Sequence, residues 1–182
     1  MANPVKLETT FTSKNGKLLR FRPKRSTDTD MLWEMFSTLS QATVSNLVPP
    51  FTRERIEGWT KNIDFNDVLT IVAVVEEKDG MRIVGSASLK FNTQEVFKHK
   101  ADLALTVHDD YQNLGIGTAL LGHLLDIARK RGLAKICLTV NVNNSRAKHV
   151  YQKAGFTSEG TLLKEICING SYLDEQRMAL FL

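Results

Sequence analysis

The stretch that most constrains the fold runs from Val107 to Gly132, where an apolar segment, a glycine-bearing turn and a helical pattern follow one another. The turn reads Gln112-Asn113-Leu114-Gly115-Ile116-Gly117. The first N–H groups of a helix have no partners inside the helix, and the helix dipole places partial positive charge there. Gly115 and Gly117 lack the Cβ atoms that would hold a ligand away from the backbone. The stretch therefore predicts a site for a phosphate-bearing ligand.

Two common nucleotide-binding motifs do not fit this turn. A P-loop ends in Gly-Lys-Ser/Thr, whereas Gly117 is followed by Thr118 and Ala119. A dinucleotide-binding fingerprint has a third glycine three residues after Gly117, where this chain has Leu120, and no early βαβ unit contains the turn. The phosphate-bearing ligand is therefore expected to be held by a different motif.

Length and composition indicate one domain over residues 1–182, with residues 1–16 as a loosely ordered lead-in or a short edge strand. The net charge of +4 is dispersed along the chain, which argues against nucleic acid as the main partner. No apolar run approaches the roughly 18 residues of a membrane span, and the N-terminus lacks the apolar core of a signal peptide. A cytoplasmic protein without a membrane partner is the expectation.

Hydrophobic periodicity predicts a mixed α/β chain. Helices are expected from Asp28, from Arg53 behind a Thr52 cap, from Ile116, and from Asn143 to Ala154, with a loop over Gln41–Thr52. Gly85 inside a strand suggests a bulge or a close backbone approach. The predicted strands are Leu18–Arg22, Val68–Glu76, Arg82–Phe91, Ala101–Val107, Lys135–Val142, Phe156–Ile168 and Tyr172–Leu182.

The glycine turn and one later segment together resemble a known family. Gln-x-x-Gly-x-Gly at 112–117, between a strand and a helix, resembles motif A of the GNAT superfamily of N-acetyltransferases. The segment from Asn144 to Phe156 resembles that family's second signature, N-x-x-A-x-x-x-Y-x-K-x-G-F. Two motifs in the family's order of elements are more specific than one, and the resemblance covers about residues 18–182.

The resemblance implies a fold and a cosubstrate. The expected fold is a mixed, mostly antiparallel sheet of six to seven strands with helices on both faces. Its central pair, Ala101–Val107 and Lys135–Val142, is expected to splay apart and admit the pantetheine arm of acetyl-CoA. The residues expected to contact the coenzyme are Leu105, Thr106, Val107, Gln112, Asn113, Leu114, Gly115, Ile116, Gly117, Thr118, Asn144, Ala147, Tyr151 and Lys153.

Two side chains are candidates for the chemistry of acetyl transfer. The resemblance implies that Tyr151 protonates the departing thiolate, although a half-buried tyrosine on a helix can also serve packing alone. Asp102 shares a strand face with Ala104 and Thr106, so its carboxylate could help to deprotonate an amine through water. It could equally be an edge charge. A backbone N–H near Val107 is the candidate for stabilising the oxyanion.

Other polar and aromatic residues carry weaker expectations. His108 follows a strand and is expected to lie exposed in a turn rather than act as a base. No histidine has the spacing of a metal ligand, so no metal site is expected. Cys137 and Cys167 are expected to be buried free thiols. The acceptor side is expected to involve Trp33, Phe36, Phe51, Tyr172 and Asp174, each of which could instead belong to the core.

The acceptor amine stays open among three hypotheses. Asn169-Gly-x-Tyr172-x-Asp174 resembles a subset of the family that acetylates small amino acids and related amines. The first hypothesis is therefore direct acetyl transfer to a primary amine of a small molecule such as an amino acid. The alternatives are a protein acetyltransferase, acting on lysine or an N-terminus, and a non-catalytic acyl-CoA-binding module. A homodimer is a further open possibility for the assembly.

Overall fold

One mixed sheet of eight strands organises the chain in the computed structural model, which describes residues 7–168 and 170–182. Its strands are β1 (Thr9–Thr12), β2 (Leu18–Pro23), β3 (Val68–Glu77), β4 (Gly80–Phe91), β5 (Lys100–Val107), β6 (Lys135–Asn141), β7 (Thr157–Ile168) and β8 (Ser171–Phe181). They lie in the order β1-β2-β3-β4-β5-β6-β8-β7. Every neighbouring pair is antiparallel except β5–β6, which is parallel.

Five α-helices in the described part of the chain lie on the two faces of the sheet. They are α1 (Thr29–Ser37), α2 (Gln41–Val44), α3 (Arg53–Lys61), α4 (Ile116–Lys130) and α5 (Ser145–Lys153). On one face, α4 buries an apolar stripe that includes Leu120 and Leu124 against the inner strands. On the other face, α1 and α3 pack through Met35 and Ile56 against β3 and β4. Helices thus lie on both faces, as the sequence predicts.

Gly85 is required where α4 meets the sheet. A Cβ atom at this position would lie 3.0 Å from Leu120 Cδ1 and 3.3 Å from the Cβ of Ala73. The register of β3 against β4 also shifts beside it, between Ala73 and Val74. The sequence suggests a bulge or a close backbone approach at Gly85, and both are present. They allow α4 to pack closely against the central strands.

The expected fold class is confirmed, and three details differ from the expectations. The sheet has eight strands rather than six to seven, because Thr9–Thr12 in the lead-in pairs with β2 as the edge strand. The segment Gln41–Thr52 contains the short helix α2, whose N-terminus is capped by Ser40. Cys137 is buried, but Cys167 is exposed, because no helix of residues 7–168 or 170–182 covers the β7–β8 hairpin there. Asn169, which belongs to the predicted turn of this hairpin, lies outside the described residues.

Candidate functional site

An open cleft of about 1480 Å³ runs along the middle of the sheet. One part of it, called here the turn side, is bounded by the Gln112–Thr118 segment and the start of α5. The other part, called here the strand-face side, lies between α1–α3 and the exposed faces of β3, β4 and β5. The cleft therefore connects the glycine turn to the opposite side of the sheet.

The two central strands separate inside this cleft. Parallel pairing of β5 with β6 covers only Lys100–Lys135, Ala101–Ile136 and Asp102–Cys137. From Leu103 to Val107, β5 keeps its pairing with β4 but does not pair with β6 within the described sheet. A strand edge of this kind offers backbone N–H and C=O groups to an extended ligand. The predicted splay is confirmed, and it places a free edge along one wall of the cleft.

Helix α4 begins at this free edge without a side-chain cap. Gly115 is the N-cap residue and has a left-handed conformation (φ 86°). A glycine has no side chain that could accept a capping hydrogen bond. By contrast, Thr52 and Asn144 cap α3 and α5. The backbone hydrogen bond from Ala119 N–H to Gly115 O, at 3.0 Å, closes the first turn of α4. The N–H groups of residues 116–118 thus precede the helical ladder and are available to an anion.

Gly117 brings the start of α4 against the end of β5. A Cβ atom at Gly117 would lie 3.5 Å from Val107 Cγ2 and 3.9 Å from Leu105 Cδ2. These are ordinary contacts, so the protein itself does not demand a glycine here. The missing side chain instead leaves the backbone of the turn open to the cleft, as a bound phosphate group requires.

Two basic residues that the sequence analysis did not single out lie on the turn side. Arg146 Nη1 donates a 2.6 Å hydrogen bond to Gln112 Oε1, and Gln112 Nε2 donates one of 3.0 Å to the backbone oxygen of Val107. Lys14 lines the cleft from the β1–β2 turn, where its backbone N–H donates to Leu114 O at 3.1 Å. Nothing local in the sequence signals either residue, because long-range packing brings both to the turn.

Most residues expected to hold the coenzyme come together in the cleft. Those that line it are Leu105, Thr106, Val107, Gln112, Asn113, Gly115, Gly117, Thr118, Asn144, Ala147 and Tyr151. Three others do not line it. Ile116, the first residue of α4, is buried in the core, and Leu114 packs against that core. The Lys153 side chain is exposed at the end of α5. Ile116 and Leu114 can contribute backbone groups only, and Lys153 stands outside the cleft.

Tyr151 lies in the wall of the cleft beside the splayed strands. Its ring packs against Phe156, with the ring centroids 5.8 Å apart, and only 7% of the residue is exposed. Burial raises the pKa of Tyr151 to about 12. The raised pKa keeps the hydroxyl protonated at neutral pH, and among the described residues the hydroxyl has no hydrogen-bond partner, so it is free to donate within the cleft.

The strand-face side combines an apolar wall with polar strand residues. Phe36 stacks on Phe51 with centroids 4.9 Å apart and meets the edge of Trp59 at 5.4 Å. Asp102, Ala104 and Thr106 share the face of β5 that lines the cleft, as their alternation predicts. Of the five residues expected on the acceptor side, Phe36 and Phe51 line the cleft, whereas Trp33, Tyr172 and Asp174 do not.

His108 differs from the expectation of an exposed turn histidine. It is only 3% exposed and lies outside the residues that line the cleft. Its Nε2 is 3.0 Å from Thr38 Oγ1, and its Nδ1 accepts the backbone N–H of Asp110 at 3.3 Å. His108 therefore anchors the end of β5 to the end of α1. Over the described residues, no group of three or more histidine, cysteine or acidic side chains is arranged to hold a metal ion.

No helix in the described parts of the chain combines the length and apolarity that crossing a membrane requires.

Comparison with known proteins identifies a family and several relatives. A sequence model of the acetyltransferase (GNAT) family matches residues 32–156. A spermidine N(1)-acetyltransferase from Vibrio cholerae is 37% identical over 79 residues, which is 43% of this chain and 46% of that protein. An L-amino acid N-acetyltransferase from Escherichia coli is 33% identical over 98 residues, covering 53% of this chain and 60% of that protein. The chain thus spans about half the length of these curated relatives.

Solved structures share the fold at lower sequence identity. The yncA protein from Salmonella typhimurium, whose structure contains its cofactor acetyl-CoA, superposes with a TM-score of 0.74. The superposition covers 90% of this chain and 94% of that chain at 20% identity. Agreement over almost the whole chain at this identity is evidence about the architecture of the sheet and helices.

Proposed function

The chain belongs to the acetyltransferase (GNAT) family, and from this premise we propose that it transfers the acetyl group of acetyl-CoA to a primary amine of a small molecule. The observation that carries the proposal is the meeting of three features in one cleft. These are the uncapped N-terminus of α4, the free edge of β5, and the buried hydroxyl of Tyr151. Together they supply an anion site, a template for an extended chain and a proton donor.

The turn side fits the coenzyme. The free N–H groups at the start of α4 suit a pyrophosphate, and Lys14 and Arg146 add positive charge. The unpaired edge of β5 suits the amides of pantetheine, which can bond to it as an additional strand would. When bound, acetyl-CoA would supply an activated acetyl group as a thioester. The chain would hold that group at the end of β5, where the strands separate.

The amine would enter from the strand-face side. A lysine-like amine with a pKa near 10.4 is mostly protonated at neutral pH, and its deprotonation at pH 7 costs about 4–5 kcal/mol. Asp102 lines this side and is exposed, so it can take up a proton through water. The aromatic wall of Phe36, Phe51 and Trp59 excludes water from part of the space and leaves room for the carbon skeleton of the acceptor.

Tyr151 would supply the proton that the leaving sulfur needs. A thiol has a pKa near 8.5, whereas burial raises the pKa of Tyr151 to about 12. The tyrosine therefore keeps its proton until the C–S bond breaks, when that proton would pass to the sulfur and be replaced, through water, by the proton that the attacking nitrogen releases. We infer direct transfer without an acyl-enzyme, and the positions of the two cysteines support it, since Cys137 is buried in β6 and Cys167 lies on β7, both outside the cleft lining.

The proposal is tested by incubating the chain with acetyl-CoA and a panel of amines while free thiol is measured. The panel contains amino acids, spermidine and short peptides with a free N-terminus or a lysine. Thiol release with small amines supports the proposal. Release with peptides alone would point to a protein acetyltransferase, and tight coenzyme binding without release for any amine would point to a non-catalytic module.

A further inference from the structure

Lys24 lies at the inner end of the strand-face side. It directly follows β2, and its backbone N–H donates to Thr70 O at 2.9 Å, which continues the pairing of β2 with β3. The residue is 9% exposed, and its side chain lines the cleft. A lysine this deeply buried is uncommon unless its ammonium has a partner.

No partner for the Lys24 ammonium occurs among the described residues. The closest candidate is the buried carboxylate of Asp28, but Arg22 already holds both of its oxygens, at 2.6 and 2.7 Å, and Arg25 N–H donates a third bond to it. Over the described chain, Lys24 Nζ takes part in no hydrogen bond or ion pair. Burial lowers the pKa of Lys24, and the charge of Asp28 partly opposes this effect. The Lys24 ammonium thus reaches the cleft without a protein partner, and an anion that enters the cleft can pair with it.

Polar residues continue from Lys24 across the sheet towards β5. The registers of neighbouring strands place Lys24 opposite Thr70, Thr70 opposite Ser88, and Ser88 opposite Ala104. All four line the cleft, and in the described structure the hydroxyls of Thr70 and Ser88 make no side-chain hydrogen bond. Three strand spacings separate the backbones of Lys24 and Ala104 by roughly 14 Å. The row of cleft-lining residues from Lys24 to Ala104 can therefore hold an acceptor whose charged groups are several bonds apart.

Among the described residues that line this side, Lys24 is the buried cation without a protein partner, and the carboxylates of Asp64 and Asp67 are exposed to solvent. Arg55 donates to the backbone oxygens of Val48 and Pro50, both at 2.8 Å. Lys90 stands opposite Asp102 in the register of β4 and β5, but unlike Lys24 it is exposed to solvent. An acceptor amine is thus matched by Asp102 near the splayed strands, and a single negative charge is matched by Lys24 at the other end.

We propose that the acceptor is an amine that carries a carboxylate, and that Lys24 binds this carboxylate with help from the hydroxyls of Thr70 and Ser88. The inference rests on the proposed acetyl transfer and narrows its substrate class. One ammonium and two hydroxyl donors suit a monoanion better than a phosphate, which has a second charge. A polyamine, by contrast, would place a second ammonium group beside the Lys24 ammonium, and the two positive charges would repel each other.

Matched amines that differ in one carboxylate give the test. With the wild-type chain, 6-aminohexanoate is expected to have a kcat/KM roughly ten- to a hundredfold above that of hexylamine, which corresponds to one hydrogen-bonded charge pair. Lys24→Met should raise the KM for 6-aminohexanoate by a similar factor and leave the KM for hexylamine unchanged. Lys61→Met, which removes an exposed lysine of α3 outside the cleft lining, is the control and should retain the preference for the carboxylate.

A measurement without turnover guards against misfolding. Lys24→Met replaces a buried charge with an apolar side chain of similar length, so its thermal midpoint is expected to equal or exceed that of the wild type. Calorimetric binding of 6-aminohexanoate in the presence of coenzyme A should weaken in this variant, while coenzyme binding alone stays the same.

Three outcomes would overturn the inference. They are equal use of the two amines by the wild type, a preference for spermidine over 6-aminohexanoate, or an equal loss of kcat for both amines in Lys24→Met. The last would indicate that Lys24 acts as a base. Absence of thiol release with every amine would instead reject the proposed acetyl transfer, so the two failures are distinguishable.

Discussion

Arg146 and Gln112 join the two sides of the splayed strand pair through a 2.6 Å hydrogen bond from Nη1 to Oε1. Gln112 follows β5, and Arg146 lies in the first turn of α5, which follows β6. The same glutamine also donates to Val107 O and to Thr43 Oγ1. One side chain therefore ties the end of β5, the helix α2 and the helix α5 together at the mouth of the cleft.

Replacing Arg146 should weaken coenzyme binding more than it weakens folding. Arg146→Leu removes a positive charge and a charge-assisted hydrogen bond beside the uncapped start of α4, so the dissociation constant for acetyl-CoA is expected to rise roughly tenfold or more. Titration calorimetry measures the change. The control is Arg129→Leu, which removes an exposed arginine paired only with Asp126 at the far end of α4. Equal affinities in both variants would contradict the role of Arg146.

Adding one methyl group to the glycine turn should separate stability from binding. Gly117→Ala places a Cβ atom in ordinary contact with Val107, so the free energy of unfolding should stay level or rise. The same methyl group projects where a phosphate must approach the backbone, so coenzyme affinity should fall at least tenfold.

Gly122→Ala is the matched control for this change, because Gly122 lies in the same helix with nothing within 4 Å of an added Cβ. It should raise the free energy of unfolding by up to about 1 kcal/mol without affecting the coenzyme. Unchanged coenzyme affinity in Gly117→Ala would remove the turn from the site.

Removing the hydroxyl of Tyr151 should slow the reaction without loosening the fold. Tyr151→Phe keeps the ring against Phe156 and is expected to lower kcat by roughly 10²- to 10⁴-fold, the range for a lost general acid. Tyr111→Phe serves as control, since Tyr111 is equally buried but gives its hydroxyl to Glu77. That variant should lose stability and keep its turnover.

The pH profile gives a second check on Tyr151. Because burial raises the pKa of Tyr151 to about 12, its proton is retained throughout an assay from pH 6 to 10. The kcat/KM for the amine should therefore rise with pH as the free amine is deprotonated, with no falling limb from the tyrosine in that range. A falling limb that is present in the wild type and absent in Tyr151→Phe would show that the tyrosine titrates earlier.

Asp109 should make the folding stability of the protein decrease at acidic pH. Burial alone would raise the pKa of Asp109, but hydrogen bonds from Ser40 and Thr43 outweigh it and hold the pKa at about 2. Since the folded pKa lies below the ordinary value of 3.8, the stabilisation is complete above about pH 4 and is lost as the pH falls towards 2.

Asp109→Asn should accordingly be less stable at neutral pH and lose less stability between pH 4 and 2, as measured by urea unfolding. The exposed Asp79, in the turn between β3 and β4, provides the control Asp79→Asn, which should follow the wild type at both ends of this range. An acid dependence of Asp109→Asn equal to that of the wild type would exclude this cause.

Local sequence rules predicted the parts of the site that short segments build by themselves. The glycine turn, the Asn144 cap and the shared face of Asp102 and Thr106 each depend on residues a few positions apart. Helical and alternating periodicity likewise located seven of the eight strands. The strand Thr9–Thr12 was left as an alternative, because a short polar edge strand has too little apolar pattern to distinguish it from a loop.

Residues brought together from distant parts of the chain were not predicted. Lys14, Lys24 and Arg146 reach the cleft from a hairpin turn, a strand end and a helix, and each has an ordinary sequence context. The burial of His108 depends on Thr38, 70 residues earlier. Cys167 has apolar neighbours, but the exposure of its strand follows from the absence of a covering helix there, which no local pattern encodes.

The gap between β5 and β6 joins the two sides of the cleft, so in the proposed function the coenzyme and the acceptor would enter from opposite sides and meet there. An inhibitor could exploit this arrangement by joining the pantetheine thiol to a carboxylate-bearing amine through a short acyl linker threaded through the gap. Such a bisubstrate compound would compete with both ligands at once. Its selectivity over relatives with cationic acceptors would come from the end that reaches Lys24, while the coenzyme end would provide affinity common to the family.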